Sequence, residues 1–481
     1  MTFGADGDVA TLMPGEVGLA GDRLIALGIY DPLMSYDDDN KLVPYLAKSL
    51  EASDDLLTWD MELNSGVVFH DDTPLNAESV VKHFNRLKDP ATACSCLDTV
   101  QIIESMDMPD GPTGLRVVFR LAAPTVAFGE TLSGSSGYIE SPTAIDKDPE
   151  GFNTKPVGSG PFVLTELARG ERVVLTKWAK YWKQDAAGNQ LPYLDKLTVI
   201  PIPDPSQQLN ALKTGDVQMF GTPQSNIVKQ AEDDGFAAQR VSGSGSTMIM
   251  LNNSKPPFND VKARQALAYA IDKSVINERV YDGVQVESHS LFAIDSPYYN
   301  ENAGTPEYDP DKAKALVDEL GGLEFTLECI PEQGQGFLEI VKAQGEAVGM
   351  KISLKTQEKA AFVDRLFGKG GDYEAACFAN AIFIEPDQIR PSLTTGDAQN
   401  LSFYSNEEVD RLLDEGRKTA VFEERKAAYD KVQEIIGEEI PSITLVYPLF
   451  GNVYDKTKVG PPPKSEPNTT GGIKPGYLHL V

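Results

Sequence analysis

The residues with the greatest chemical reach in this 481-residue chain are few and scattered. His70, His83, His289 and His479 share no metal-ligand spacing with one another or with the cysteines, so the pattern points to no metal site. Cys94 and Cys96 stand two apart in ATACSCLD, a spacing that makes a disulfide geometrically demanding. Cys329 and Cys377 fall on two expected strands, FTLEC and YEAACFAN, that can be neighbours in a sheet. Each pair is compatible with a disulfide or with buried thiols, and four cysteines do not fix a connectivity. The runs Tyr36-Asp37-Asp38-Asp39 and Glu232-Asp233-Asp234 lack the spacing of an EF-hand loop and read as exposed loops or helix ends. Gly243-Ser244-Gly245-Ser246 is not a G-x-S-x-G nucleophile elbow and reads as a flexible link. No G-x-x-x-x-G-K-[ST] phosphate cradle occurs. With no nucleophile–base set or carboxylate pair marked out, the chain is expected not to be an enzyme and to carry no cofactor.

Charge removes further classes. Lys and Arg number 43 against 72 Asp and Glu, a formal net charge of −29, so the general field repels polyanions and no nucleic-acid partner is expected. The same excess acidity keeps a soluble protein dispersed and does not by itself imply a cationic ligand. No apolar run is long enough to span a bilayer, and Met1-Thr2-Phe3-Gly4 leads directly into polar sequence rather than a signal peptide.

The elements that must position any site are more legible. In Leu56–Lys82, Trp59, Met61 and Leu63 alternate with Asp60, Glu62 and Asn64, the period of a half-buried strand. An Asn64-Ser65-Gly66 turn follows, and extended structure is expected to resume at Val67–Phe69. Asn76 can cap a helix that places Val80, Val81, Phe84 and Leu87 on one face. In VGSGPFVLTELARGERVVLTKWAKYW, Gly158 and Gly160 suit a tight turn before a strand at Pro161–Thr165. Ser206 is a candidate cap for a helix carrying Leu209 and Leu212, with Gly215 ending it. In MLNNSKPPFNDVKARQALAYAIDKSVINERVYDG, Asp260 and Asp272 are expected to cap successive helices, the first burying Ala266, Leu267, Ala270 and Ile271. Strands are expected at Leu323–Cys329, Lys351–Lys355 and Tyr373–Phe378, separated by helices. A Ser405/Glu408 capping box and a later helix presenting Tyr429, Val432, Ile435 and Ile436 inward read as core supports. The tail GPPPKSEPNTTGGIKPGY resists regular structure.

The order and spacing of these blocks over nearly the whole chain resemble the extracellular solute-binding proteins of family 5, the peptide and nickel-type receptors of ABC importers. The resemblance implies an α/β chain of periplasmic-binding-protein type II architecture, with two lobes and an inserted subdomain in the first. Residues 1–36, 158–245 and 445–481 would form the first lobe, 37–157 the inserted subdomain and 246–444 the second lobe. It implies a receptor outside the cytoplasmic membrane, periplasmic or lipid-anchored on the outer face, whose export segment is absent from this sequence. A monomer would capture a small molecule or short peptide between closing lobes and present it to a membrane permease.

Site residues follow from the same resemblance. Phe378, Asn380, Ile382, Phe383 and Glu385 lie in the second-lobe pocket segment FANAIFIEPDQIRPSL; Met13 and Tyr30 in the first lobe, with Ser135 and Tyr138 in the LSGSSGYIESP loop, are implied by family position. Thr247, Met248 and Met250 lie at a chain crossing and could form a pocket wall. Core packing is the competing reading for the apolar members of this set. Peptide-binding relatives place an Asp three residues before an acidic-Pro pair, where it holds a peptide's α-ammonium. Here the pair is Glu385-Pro386 and the matching position is Ile382, which can neither carry charge nor accept a hydrogen bond. Glu385 or Asp387 could replace it. The expectation is a short peptide or peptide-like solute, with an oligosaccharide or other amphipathic metabolite as the alternative, or a sensor signalling to a membrane partner.

Overall fold

The computed structural model describes residues 1–481 other than 18–19, 38–40, 93, 95, 243–245, 288–289, 293–295, 331–335, 359–361, 363–364, 367–370, 381–384, 448 and 464–472. The chain divides into two compact units, Met1–Val241 with Phe450–Val481, and Ser242–Leu449. Among the described residues no helix is long and apolar enough to cross a membrane.

The first unit is built on a seven-stranded mixed sheet. Its strand order is Ala237–Ser242, Leu449–Tyr454, Met219–Thr222, Thr2–Ala5, Lys196–Pro201, Arg172–Lys177 and Phe162–Ala168. Thr2–Ala5 pairs in parallel with both neighbours, a central placement that suits its almost entirely buried residues. Phe3, Ile25, Ile29, Phe162, Leu175 and Leu197 form the core that joins this sheet to the Ala20–Ile29 helix. The helix at Pro205–Thr214 starts two residues earlier than Ser206 suggests: Asp204 is its cap, accepting from Gln207 N–H at 2.9 Å, and Pro205 takes the first helical position. Gly215 ends it in the left-handed conformation, φ +84°.

Within this unit, Ala47–Ala52, Thr58–Leu63, Arg116–Leu121 and Ile103–Asp107 make a separate antiparallel sheet. Trp59, Met61 and Leu63 project from one face and meet Val80, Phe84 and Leu87 of the Ala77–Leu87 helix. Phe84 and Phe119 are fully buried and contribute roughly 1.5–3 kcal/mol each through burial. Asn76 caps the helix reciprocally: its Oδ1 accepts from Ser79 N–H at 3.1 Å, and its own N–H donates to Ser79 Oγ at 3.4 Å. Residues 67–69 do not form a strand; Val68 makes a single bridge to Pro74 and the chain turns into the helix.

Gly158 and Gly160 answer to a close approach rather than to turn geometry. A Cβ at Gly158 would lie 2.2 Å from the Ile29 carbonyl oxygen, and one at Gly160 would lie 2.5 Å from the Ile29 carbonyl carbon. Gly160 N–H donates to that Ile29 oxygen at 2.8 Å. His70 ties the same loop to the HDDT turn, its Nε2–H donating to Gly160 O at 3.0 Å while Nδ1 faces Gly158 N–H at 3.4 Å. Burial of the ring lowers its pKa to about 4, so the imidazole is neutral and this tautomer satisfies both contacts.

The second unit carries a six-stranded sheet in the order Val286–Glu287, Ser442–Tyr447, Ser246–Leu251, Ala375–Asn380, Glu324–Cys329 and Lys351–Thr356. One face is closed by helices Val261–Ala270 and Lys273–Tyr281, capped by Asp260 and Asp272, and by Phe337–Ala347. Ile249, Leu251, Phe325, Leu327, Ile443 and Leu445 point into that core. Cys329 and Cys377 also face it and form a disulfide, one step beyond the parallel pairs Leu327–Ala375 and Glu328–Ala376. Cys94 and Cys96 form the second disulfide, in the first unit. The helix Glu407–Gly416 is capped by Asn406 rather than Ser405, its Oδ1 accepting from Glu408 N–H at 2.9 Å and Val409 N–H at 3.2 Å. Tyr429, Val432 and Ile436 of Phe422–Glu439 are buried and Ile435 packs at the edge of their cluster.

Candidate functional site

The opposite face of the second unit's sheet floors a cavity of about 330 Å³. Strand alternation selects the floor: Ser246, Met248 and Met250 face the cavity while Thr247, Ile249 and Leu251 face away. Across the ladder Met248 is registered with Phe378 on one side and Thr444 on the other, and Met250 is registered with Ser442. Three strands therefore present a row of Phe378, Met248 and Thr444, with Ser442 and Met250 beside it. A bulge makes Leu445 an extra residue between Thr444 and Val446, so the face changes hand there and Tyr447 joins the cavity wall in place of Val446.

The wall facing the sheet comes from the chain that follows Glu385. The 3-10 turn Pro386–Ile389 and the short helix Arg390–Leu393 supply Gln388, Ile389, Ser392 and Leu393. Gln399, Leu401 and Ser402 complete it from the next loop, with Leu291 and Pro441 at the margins. Among the described residues no lining side chain is an acid, a lysine, an arginine or a histidine. The hydroxyls of Ser442 and Thr444 have no hydrogen-bond partner among the described residues. By contrast, Tyr447 donates to Phe292 O at 3.3 Å and also to Ser290 O, and Ser392 donates to Ile389 O at 2.7 Å. The site is thus a thioether and aromatic floor with a rim of neutral hydrogen-bonding groups, a surface for an amphipathic, uncharged group.

The charges of this region stand behind the wall. Glu385 is 8% exposed and takes a forked ion pair from Arg425, with Nη1 to Oε2 at 3.2 Å and Nη2 to Oε1. It also accepts from Asp387 N–H at 3.1 Å and so caps the 386–389 turn. Arg425 is held in turn by Tyr298 Oη at 2.7 Å and Gly416 O at 2.9 Å. Burial works against its charge, but Glu385 outweighs burial and moves its pKa up. Asp387 pairs with Arg417 at 3.5 Å, and Arg390 with Asp414 at 2.7 Å; burial raises the Asp387 pKa despite its cation. Of the two carboxylates that could have stood in for an anchor at Ile382, Glu385 is therefore committed to Arg425 through both oxygens, whereas Asp387 meets Arg417 through Oδ2 alone and its buried Oδ1 has no hydrogen-bond partner among the described residues.

Of the residues singled out from sequence, Met248, Met250 and Phe378 come together in this cavity. Thr247, out of phase with Ser246, Met248 and Met250, is on the other face of the strand and does not line the cavity. Asn380 pairs with Ser246 through the strand ladder, and Ile382 and Phe383 lie outside the described residues. Glu385 supports the wall from behind. Sequence reasoning missed Ser442, Thr444 and Tyr447, which arrive on a return strand nearly 200 residues after Met248; only their alternation with Ile443 and Leu445 signals a two-faced strand.

The four remaining residues gather in the first unit. Tyr30 and Tyr138 stack with ring centroids 6.4 Å apart and are 0% and 1% exposed. Tyr30 donates to Leu12 O at 2.9 Å, next to Met13, and Ser135 O accepts from Gly15 N–H at 3.0 Å. The tyrosines thus fix the 12–15 loop from within the core. Half-buried Met13 lines a cavity of about 570 Å³ with Glu16, Lys82, Arg86 and Glu140. Glu140 is buried between His83, which meets it at Nδ1, and Arg86, at 2.8 Å. Burial alone would raise the Glu140 pKa, but these partners lower it to about 2. Next to Tyr30, Asp31 accepts from Trp182 Nε1–H at 2.8 Å, Tyr181 at 3.0 Å and Ser159 at 3.3 Å; burial nonetheless raises its pKa to about 6.

The two-unit α/β chain carries mixed sheets and, in its second unit, an amphipathic cavity. The model of the bacterial extracellular solute-binding proteins, family 5 Middle, matches residues 41–400, and the chain belongs to that family. It is 27% identical over 473 residues to the glutathione-binding protein GsiB of Shigella flexneri, covering 94% of this chain and 89% of that protein. The GsiB protein of Escherichia coli K12 is 26% identical with the same coverage. Among solved structures, the ABC transporter substrate-binding protein CtaP of Listeria monocytogenes superposes with a TM-score of 0.86 at 24% identity, covering 100% of this chain and 99% of that one. The periplasmic binding protein DppA of Helicobacter pylori, in complex with the peptide STSA, gives 0.80 at 25% identity, covering 100% and 98%. The chain is accordingly an extracytoplasmic solute-binding protein of the ABC-importer type.

Proposed function

We propose that this receptor captures a short peptide or peptide-like solute and that the cavity over Met248, Phe378 and Thr444 holds part of it. The observation that carries the reading is the cavity itself: about 330 Å³, apolar beneath and hydroxyl-rimmed, in a member of this family. Relatives named for glutathione and a relative bound to the peptide STSA support a peptide-like solute. The neutral rim also favours a second reading, an uncharged amphipathic metabolite such as an oligosaccharide. A membrane permease is the partner, the receptor acts as a monomer without catalysis, and it is periplasmic or tethered by lipid to the outer face of the cytoplasmic membrane. We take residues 37–157 as a subdomain inserted in the first lobe because they contain their own sheet and core.

The test is a thermal-shift screen of ligand-stripped protein against tripeptides, oligosaccharides and metal chelates, followed by calorimetry of the hits. Native-state binding stabilises by about 2.7 kcal/mol at a free ligand concentration one hundred times Kd. A saturable shift with peptides supports the reading. A shift with sugars alone transfers the assignment to the second reading.

A further inference from the structure

From the placement of charge around the cavity we infer that the part of the solute seated over Met248 and Phe378 is uncharged, and that this receptor excludes ammonium and carboxylate groups from that position. The inference rests on the proposed solute-binding role of the cavity and adds the chemical class that the cavity admits.

Three observations combine. Among the described residues the lining holds no carboxylic acid and no basic side chain, and its one phenol, Tyr447, donates to main-chain carbonyls. The carboxylates on the wall's own segment are not in the lining and have cationic partners: Glu385 is forked onto Arg425 and Asp387 lies 3.5 Å from Arg417. Arg390, the cation on that segment, is paired with Asp414. Among the described residues, the charges of this segment are thus paired with one another and none is presented by the lining. An ammonium or carboxylate drawn into the cavity would shed water and gain only neutral partners, a strongly unfavourable exchange. An amide, hydroxyl, thioether or hydrocarbon group would lose little, because the Ser442 and Thr444 hydroxyls can donate and accept and the floor is apolar.

The decisive experiment is a calorimetric scan of tri-alanine peptides in which each position in turn is Leu, Gln, Lys or Glu, each in free-amine and N-acetylated form. One ligand position, the terminus counted among them, is expected to bind the neutral group at least 100-fold more tightly than either charged one. Gln388→Glu then places a carboxylate at the cavity mouth on an exposed residue without changing its shape. It is expected to recover binding of the cationic peptide at least 10-fold at that same position and to leave the anionic peptide excluded. Gln399→Glu, also exposed on the lining, serves as an independent repeat. Peptides that bind with Lys or Glu tolerated at every position would overturn the inference while leaving peptide capture intact, as would charge discrimination that both variants leave unchanged. Binding of sugars with no peptide binding would overturn the peptide reading and this inference together.

Discussion

Cutting the Arg425–Glu385 pair is expected to destabilise the second unit more than any single change in the cavity lining. Both side chains are nearly enclosed, 6% and 10% exposed. Glu385→Gln preserves shape but removes the carboxylate bonded to the guanidinium, whose other hydrogen bonds go to the neutral Tyr298 Oη and Gly416 O. Stranding one member of such a pair costs about 3–5 kcal/mol. For a unit of about 200 residues, where each kcal/mol moves Tm by about 2–4 °C, the expected loss is roughly 6–20 °C. Glu385→Gln combined with Arg425→Met removes both charges, and the double variant should recover about 2 kcal/mol relative to the sum of the singles. The assay is differential scanning calorimetry, because Trp59, Trp178 and Trp182 all lie in the first unit and their fluorescence reports on that unit alone. A Tm change below 2 °C for Glu385→Gln, or additive single effects, would refute the assignment of Glu385 as a partnered wall support.

Other perturbations test other parts of the structure. His70 has a folded-state pKa of about 4, below its ordinary value, so the unfolded chain binds the extra proton between about pH 6.5 and 4 and stability falls as pH drops through that window. The loss is at most about 3 kcal/mol, and His70→Gln should flatten that slope in urea unfolding followed by tryptophan fluorescence, which the contact with Trp178 makes sensitive to this loop. Gly160→Ala forces a Cβ against the Ile29 backbone and is expected to cost about 1–3 kcal/mol or more by the same assay, whereas Gly170→Ala, with open space around it, tests left-handed backbone strain alone. Replacing Cys329 and Cys377 by Ala releases a cross-link spanning 48 residues and should lower the stability of the second unit by about 4 kcal/mol on the loop-entropy scale, measured by calorimetry. Wild-type unfolding unchanged by reductant would contradict that figure.

Local signals were legible and cross-chain ones were not. Trp59, Met61 and Leu63 declared a strand through alternation, and Asn76, Asp260 and Asp272 declared helix starts through the capping chemistry of their own side chains. Where two caps compete within two residues, as Asp204 with Ser206 or Asn406 with Ser405, backbone geometry decides and spacing does not. Met248 and Met250 line one cavity with Phe378 while Thr247, expected beside them, does not, because a strand's facing is set by partners far away in sequence. The same distance hid Thr444 and Ser442. Glu385 looked available until Arg425, 40 residues on, occupied both its oxygens. Gly158 and Gly160 were visible as glycines, yet their reason, the Ile29 backbone, lies more than a hundred residues earlier.

The most direct measurement of the central claim is calorimetric titration of ligand-stripped wild type and a Met248→Trp variant with the tightest-binding tripeptide of the panel. Met248 sits mid-row between Phe378 and Thr444, so an indole there fills the cavity from its floor. Saturable binding to the wild type is expected, with a loss of at least 30-fold in a variant that still unfolds cooperatively. Equal affinity in both proteins would contradict it, because the solute would then be held somewhere other than this cavity.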